Sequence, residues 1–311
     1  MKGHSYRAGL MNPWVPLVAA ILGWGSGAVL TRALVGGGVN TFTMLPFRLG
    51  SALVVMLVVI VFWKRFRSTD RRAWSRGAIL GTFAMAIPMI LLTIALEDLP
   101  VSLGGLLIAL VPVFTIAAAH FVVPGERFNP RSVPGLIVSL AGTAILVGIG
   151  GDTVSGVGDL WKGVAFSLAG VILAGVGGAL SRRYALEVGG DALVIPQFSV
   201  ATVVLFLLLP VLGASPAAIS TGDWTLILAL GALGTTIPFT AFLVAAEINP
   251  ASRLAVSGYL VPVVAVALAL MVLSETLSLA ILVGAVFIIG GVVMAERATP
   301  HVPEPGFSTA Q

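Results

Sequence analysis

The chain of 311 residues contains no cysteine, and only 10% of its residues are charged. The absence of cysteine excludes disulfide bonds and thiol chemistry, and it leaves the redox compartment undetermined. Because 58% of the residues are hydrophobic, the composition excludes an ordinary soluble domain. No Asp or Glu lies in the middle of an apolar run, and the three histidines (His4, His120 and His301) are far apart in sequence. We therefore expect no metal, no cofactor and no buried carboxylate relay for protons.

Long apolar runs account for most of the sequence. A helix needs about 20 apolar residues to cross the hydrocarbon core of a bilayer, whereas a barrel strand shows about ten alternating residues. We therefore predict an all-α integral membrane protein with ten transmembrane helices and no soluble domain. The first run lacks a small-residue cleavage site and is expected to remain as a span. The ten runs cover approximately residues 14–35, 41–63, 75–96, 101–122, 132–149, 159–184, 191–212, 223–246, 251–273 and 277–295.

The two halves of the chain repeat. Segment 27–32 (GAVLTR) is echoed 150 residues later by segment 177–182 (GGALSR). Because each half contains five spans, an odd number, the second copy must point the opposite way, which is typical of transporters. We predict two inverted-topology five-helix repeats, at 10–150 and 155–297. Offsets of 150 and then 149 relate Pro46 to Pro196, Gly81 to Gly231, Pro88 to Pro238, Pro100 to Pro250, Pro112 to Pro262, Glu126 to Glu275, Gly135 to Gly284 and Gly142 to Gly291.

Basic residues indicate the topology. Positive charge concentrates on the cytoplasmic side of membrane proteins, and the loop after span 2 carries Lys64, Arg65, Arg67, Arg71, Arg72 and Arg76. Counting spans from this loop places both termini in the cytoplasm. The polar segment 298–311 contains three prolines and is expected to be a disordered cytoplasmic tail.

The mid-span prolines form two symmetric pairs, Pro88 with Pro238 and Pro112 with Pro262. A proline removes one helical hydrogen bond and frees the carbonyl four residues earlier. In lipid that carbonyl needs another partner, so the pairs indicate hinges or the lining of a cavity, with static kinks as the alternative. The freed carbonyls belong to Ala84, Ile108, Gly234 and Gly258.

Two large aromatic residues with polar groups, Trp24 and Tyr259, lie inside spans and need hydrogen-bond partners. A cavity would supply such partners; simple core packing is the alternative. Apolar and hydroxyl groups around a cavity suit a substrate that is neutral or amphipathic. The other candidate lining residues are near Trp24 or a paired proline: Ser26, Met85, Met89, Thr235, Thr236, Phe239 and Ser257.

Arg48 is the single charge deep within a span. An ionisable residue in this position favours a functional hypothesis. Arg48 either attracts a substrate carboxylate or binds helix carbonyls and fixes the span. Its counterpart in the second half is Phe198, so the charge is not part of the symmetric machinery.

Six motifs of the sequence recur in one known family: Trp24-Gly25-Ser26, Phe47-Arg48, Pro112, Pro262, Gly125-Glu126-Arg127 with Gly135 and Gly142, and Ser274-Glu275-Thr276 with Gly284 and Gly291. As a set they resemble motifs of the drug/metabolite transporter superfamily, in particular its ten-helix EamA-type members. The second copy of the repeat end has serine where the family usually has glycine. The resemblance implies an exporter of small metabolites, commonly amino acids, with a central cavity between the halves, and Arg48 matches a position where the family often has Arg.

We therefore expect an inner-membrane exporter of neutral or aromatic amino acids, or of related metabolites, that works by alternating access. A multidrug exporter of lipophilic cations would need an acidic residue in the cavity, and an antiporter of phosphorylated metabolites would need several basic ones. An enzyme would need a convergent catalytic constellation, which the spans lack, so we expect no enzymatic activity. The expected partners are a small-molecule substrate and membrane lipid, with no nucleic acid, and the expected state is a monomer or a weak homo-oligomer.

Overall fold

The structure, a computed structural model, describes residues 12–63, 70–98, 107–108, 110–148, 160–211, 219–272 and 279–298. Within these ranges every regular element is helical, because backbone in lipid must satisfy its hydrogen-bonding groups within its own segment. Six of the described helical stretches are long and apolar enough to cross a membrane. The prediction of an all-helical protein with membrane spans is thus confirmed. The count of ten spans and the cytoplasmic position of the termini stay predictions, and residues 299–311 of the expected tail lie outside the described ranges.

The helices of the two halves follow the same order. In the first half they are α1 (Trp14–Gly36), α2 (Thr41–Trp63), α3 (Arg71–Ile79), a π-helical segment (Leu80–Ala86), α4 (Ile87–Asp98), α5 (Val111–Val122), a 3-10 turn (Pro130–Ser132) and α6 (Val133–Gly148). In the second half they are α7 (Leu160–Val188), α8 (Gly190–Leu208), α9 (Thr221–Gly231), a π-helical segment (Ala232–Thr236), α10 (Ile237–Ile248), α11 (Ala251–Val272) and α12 (Leu279–Ala298).

Local signals fix several helix ends. Asp70 caps the N-terminus of α3, and its carboxylate accepts a hydrogen bond from Ala73 N at 2.8 Å. Ser220 and Asp223 form a capping box at the start of α9. Gly189, with φ of 92°, separates α7 from α8, and this positive φ favours glycine.

Helix packing in the first half recurs in the second. Helix α1 packs on α10 and α11, and its counterpart α7 packs on α4 and α5. Helices α2, α5 and α6 contact their own counterparts α8, α11 and α12. The repeat in the sequence is therefore also a repeat of tertiary contacts, with the two halves packed against each other.

Helices α6 and α12 make the most extensive of these contacts. A Cβ atom added to Gly135 would lie 2.6 Å from Gly291 O, and one added to Gly142 would lie 2.8 Å from Gly284 O. Glycines permit such close approach where no hydrophobic force drives association. Because residue numbers rise along α6 while they fall along α12, the two helices cross antiparallel.

The glycines of α1 and α7 have a similar packing role. A Cβ atom added to Gly27 would lie 2.8 Å from the Cα of Gly234, and Gly177 meets Ala84 in the equivalent place. These two contacts bring α1 and α7 against the π-helical segments of the opposite half. The glycine-rich stretch around Trp24 therefore serves close packing of helices.

Candidate functional site

A cavity of about 250 Å³ lies between the two halves. Among its described lining residues none is acidic or basic, and most are apolar. This wall suits a small molecule without net charge. The lining residues are Trp24, Ala84, Met85, Pro88, Met89, Leu92, Val111, Pro112 and Thr115 from the first half, and Ala174, Gly177, Gly178, Ser181, Gln197, Phe239, Phe242, Leu243, Leu254, Ala255, Ser257 and Gly258 from the second.

Aromatic rings from both halves meet on one side of this cavity. The ring centroid of Trp24 lies 5.3 Å from that of Phe239, edge to face, and 5.3 Å from that of Phe242. Phe198, which is fully buried, makes an edge-to-face contact with Phe239 at 6.0 Å. Such aromatic contacts are favourable beyond the area they bury, so these rings stabilise one another's positions.

One helix in each half is interrupted by a π-helical segment followed by a proline, and we call these interruptions the first kink (residues 80–88) and the second kink (residues 232–238). Each π-helical segment ends just before a proline, Pro88 or Pro238. In each kink the residue before the proline donates its N–H five residues back, from Ile87 to Thr82 O and from Ile237 to Ala232 O. The wider π-helical turn accommodates a ring that would otherwise meet the carbonyl four residues earlier. The α-helical hydrogen bonding is therefore interrupted in equivalent places of both halves, and the role of these prolines as hinges stays a prediction.

Arg48 binds the second of these kinks. Its Nε donates to Thr235 Oγ1 at 2.8 Å, and its Nη2 donates to Gly234 O at 3.1 Å. Gly234 carries the carbonyl that Pro238 leaves without a helical partner. The contacts match the role of fixing the span, and Arg48 is not among the residues that line the cavity.

The first kink faces different groups. The position equivalent to Arg48 is Phe198, which packs in the same buried cluster as Met85. The residue before it, Gln197, also lies at the first kink, where its Nε2 is 3.8 Å from the sulfur of Met85. The arginine that holds the second kink therefore has no equivalent at the first.

The structure brings half of the predicted site residues to the cavity. Those that line it are Trp24, Met85, Met89, Phe239, Ser257, Pro88 and Pro112. Those that are not part of its described wall are Ser26, Arg48, Thr235, Thr236, Tyr259 and Pro238. Pro262 lies within α11, but its side chain is outside the described part of the chain.

Two of the departures have simple physical reasons. Ser26 satisfies its hydroxyl within its own helix, where Oγ donates to Gly23 O at 2.8 Å. Tyr259 is 1% exposed and packs in a separate apolar cluster with Ile116 and Ile288. The expectation that these two side chains face a cavity thus differs from their placement in the structure.

Several lining residues are additional to the sequence-based set, chiefly Gln197, Phe242, Thr115 and Ser181. A sequence signal existed for Gln197, since it is one of two glutamines in the chain and the other, Gln311, is terminal. Phe242 follows Phe239 by three residues and so lies on the same helical face.

A polar network borders the cavity next to Ser181. Arg182 pairs with Glu126 at 2.9 Å and also donates to Ala246 O and Glu247 O, both at 2.8 Å. The other oxygen of Glu126 accepts from Ala251 N at 2.8 Å. The arginine thus caps the end of α10 and the carboxylate caps the start of α11, which suits the partial charges at helix ends. Through Glu126, the network connects the first half to Arg182 and Ala251 of the second half.

Two related halves of apolar helices around a cavity, with no charged group among its described lining residues, are typical of a membrane transporter. The model of the EamA-like transporter family matches residues 14–148 and again residues 161–296. The chain therefore belongs to the EamA-like transporter family, and it is a multi-pass membrane protein.

Two named relatives are similar to the chain in sequence, and one solved structure shares its fold. The chain is 29% identical over 288 residues to the probable terminal-alkyne amino-acid exporter of Streptantibioticus cattleyicolor, covering 91% of this chain and 93% of that protein. It is 27% identical over 202 residues to the aromatic amino acid exporter YddG of Ancylobacter novellus, covering 65% and 69%. A crystal structure with 23% identity shares the fold with a TM-score of 0.77, covering 91% of this chain and 96% of that chain.

Proposed function

We propose that this transporter exports amino acids with apolar or aromatic side chains, or closely related small metabolites, across the inner membrane. The observation that carries the proposal is the cavity between the halves, whose described wall combines three aromatic rings and two methionines with no charged side chain. An amino acid is a zwitterion without net charge, and its apolar side chain would pack on the rings of Trp24, Phe239 and Phe242. Both named relatives are described as amino-acid exporters, the first of them as a probable one.

We further propose that transport occurs by alternating access between two inverted five-helix repeats, which comprise ten spans. The antiparallel crossing of α6 and α12 supports this arrangement, because equivalent helices of inverted repeats run in opposite directions. The recurrence of helix contacts in both halves supports it as well. Exchange of conformations between the repeats would open the cavity to one side and then to the other.

The cavity wall also bears on coupling and on the alternative substrate. With no acidic side chain among its described residues, the wall offers no carboxylate to carry protons or to balance a lipophilic cation. We therefore favour facilitated export down a gradient over proton coupling, and amino acids over cationic drugs. Flux of the substrate without chemical change would distinguish a carrier from an enzyme.

Counterflow in proteoliposomes tests this proposal. Vesicles with the purified protein are preloaded with a mixed pool of amino acids, and entry of labelled phenylalanine, leucine or a lipophilic cation is measured. We expect saturable exchange of the neutral amino acids that is greatly reduced in Trp24→Ala and partly kept in Trp24→Phe. Trp161→Ala serves as the matched control, because Trp161 is 77% exposed at the end of α7. The amino-acid proposal would be refuted if the folded protein exchanged only the cation, or if it exchanged none of the tested compounds.

A further inference from the structure

Gln197 has an unused hydrogen-bond acceptor inside the cavity wall. The residue lies within α8, is 2% exposed and lines the cavity. Its Nε2 points to the sulfur of Met85, but its buried Oε1 has no hydrogen-bond partner among the described residues. The carboxamide is therefore satisfied weakly on one side and not at all on the other.

An unsatisfied carbonyl is costly in this environment. Buried polar groups in proteins nearly always have a partner, and the exceptions need an explanation. The cost is larger in a membrane, where no bulk water reaches the group. Because Gln197 borders a cavity, a bound molecule that carries an N–H or O–H donor would supply the missing partner.

The surroundings specify the kind of donor. The described wall contains no charge, so it would neither attract nor repel a zwitterion as a whole. A carboxylate in place of the amide would attract an ammonium group but repel the substrate carboxylate nearby. An amide oxygen accepts from an ammonium group through its dipole alone, and a charged donor makes this hydrogen bond stronger than a neutral one.

We propose that Oε1 of Gln197 accepts a hydrogen bond from the α-ammonium group of the bound amino acid, and that Gln197 thereby selects substrates carrying this group. The inference rests on the proposed function, since it assumes that the cavity holds an amino acid. The aromatic wall of Trp24, Phe239 and Phe242 then receives the side chain of the substrate.

Three related ligands distinguish the contribution of the ammonium group to binding from that of the carboxylate. Phenylalanine has both charged groups, phenethylamine lacks the carboxylate and 3-phenylpropionate lacks the ammonium group. Their affinities for the purified protein are measured by displacement of labelled phenylalanine. Gln197→Leu removes the acceptor, and Gln197→Glu keeps the size but adds charge. Thr202→Val is the control on the same helix. Thr202 is buried but is not among the residues that line the cavity, and its hydroxyl donates to Leu49 O.

We expect Gln197→Leu to weaken binding of phenylalanine and phenethylamine by about tenfold to a hundredfold, the range for a hydrogen bond to a charged group. Binding of 3-phenylpropionate should change by less than about threefold. Gln197→Glu should favour phenethylamine over 3-phenylpropionate by at least about tenfold relative to the wild type. If Gln197→Leu does not fold, Gln197→Glu alone carries the test.

Other outcomes separate this inference from the proposed function. Equal losses for all three ligands, or no change in either variant, would overturn the role of Gln197 and leave amino-acid export standing. Selective loss of 3-phenylpropionate binding would show that the amide donates to the carboxylate instead, which also contradicts the inference. If the folded wild type binds none of the three and exchanges no amino acid, both the proposed function and the inference are refuted.

Discussion

Replacement of Arg48 by leucine separates its two possible roles. The side chain donates two hydrogen bonds across the interface between the halves, to Thr235 Oγ1 and to Gly234 O. Arg48→Leu removes both donors and leaves the Gly234 carbonyl, which Pro238 has already freed, without its partner. If the residue fixes the span, the variant should lose stability but keep its affinity for the substrate.

The expected loss of stability in Arg48→Leu is the difference between two opposing free-energy contributions. Two hydrogen bonds from a charged donor contribute about 3–6 kcal/mol together. Removing an arginine from within a span relieves about 2.5–3.5 kcal/mol on insertion scales. The difference in the free energy of unfolding ranges from near zero to a loss of about 3.5 kcal/mol, and its upper part is comparable to the cost of a buried acceptor left without a partner. Arg48→Lys should also destabilise the protein, because a lysine cannot donate to both acceptors with the fork geometry of a guanidinium.

Thermal unfolding in detergent measures this loss, and we expect the midpoint to fall by several degrees in both variants. Arg131→Leu is the control, since Arg131 is an exposed arginine outside the kink. The dissociation constant for a transported amino acid should stay within about twofold in folded Arg48→Leu. An unchanged midpoint together with lost binding would refute the structural role and place the arginine at the substrate.

Three further predictions follow from the packing, the polar network and the kinks. Gly27→Ala should lower stability by about 1–3 kcal/mol in denaturation assays, because the added methyl group meets backbone of the facing helix. In a double-mutant cycle, Glu126→Gln and Arg182→Gln should show a coupling energy of about 0.5–3 kcal/mol, since the two side chains share one network. Pro88→Ala and Pro238→Ala should slow flux more than they weaken binding, as measured by paired uptake and displacement assays.

These predictions have distinct controls. For Gly27→Ala the control is Ala28→Val. Ala28 lies on the exposed face of the same helix, so this variant should leave stability nearly unchanged. Additive losses in the cycle would show that Glu126 and Arg182 act independently. For the prolines, a large loss of affinity with unchanged turnover would contradict the hinge role.

The fold was predictable from the sequence because glycines and prolines keep one register across both halves. Pro88 and Pro238 indicated where the α-helical hydrogen bonding is interrupted, since a proline cannot continue it; their role as hinges stays a prediction. Arg48 is different: its depth in a span indicated importance, but only the position of the facing helix brings its guanidinium to Gly234. Tertiary contacts of this kind cannot be predicted from a local pattern in the sequence.

The composition of the cavity wall was harder to predict. Membrane helices that are apolar all round give no periodicity to show which face turns to a cavity and which to lipid. Tyr259 and Gly258 are neighbours in α11, yet only Gly258 lines the cavity. Gln197 has no charge and no aromatic ring, and the sequence signal that it carries is a carboxamide in the middle of an apolar run.

Accessibility of a cysteine in the cavity tests the central claim most directly, and the natural absence of cysteine removes any background. Ala174 lines the cavity, so the test variant is Ala174→Cys. The control is Ile172→Cys, because Ile172 is 41% exposed and lies on a different face of the same helix. A membrane-impermeant thiol reagent is added to right-side-out and to inverted vesicles. We predict that Ala174→Cys reacts from both sides, that phenylalanine or leucine slows the reaction, and that Ile172→Cys reacts from neither. Reaction of Ala174→Cys from one side alone under all conditions, without protection by amino acids, would contradict alternating access through this cavity.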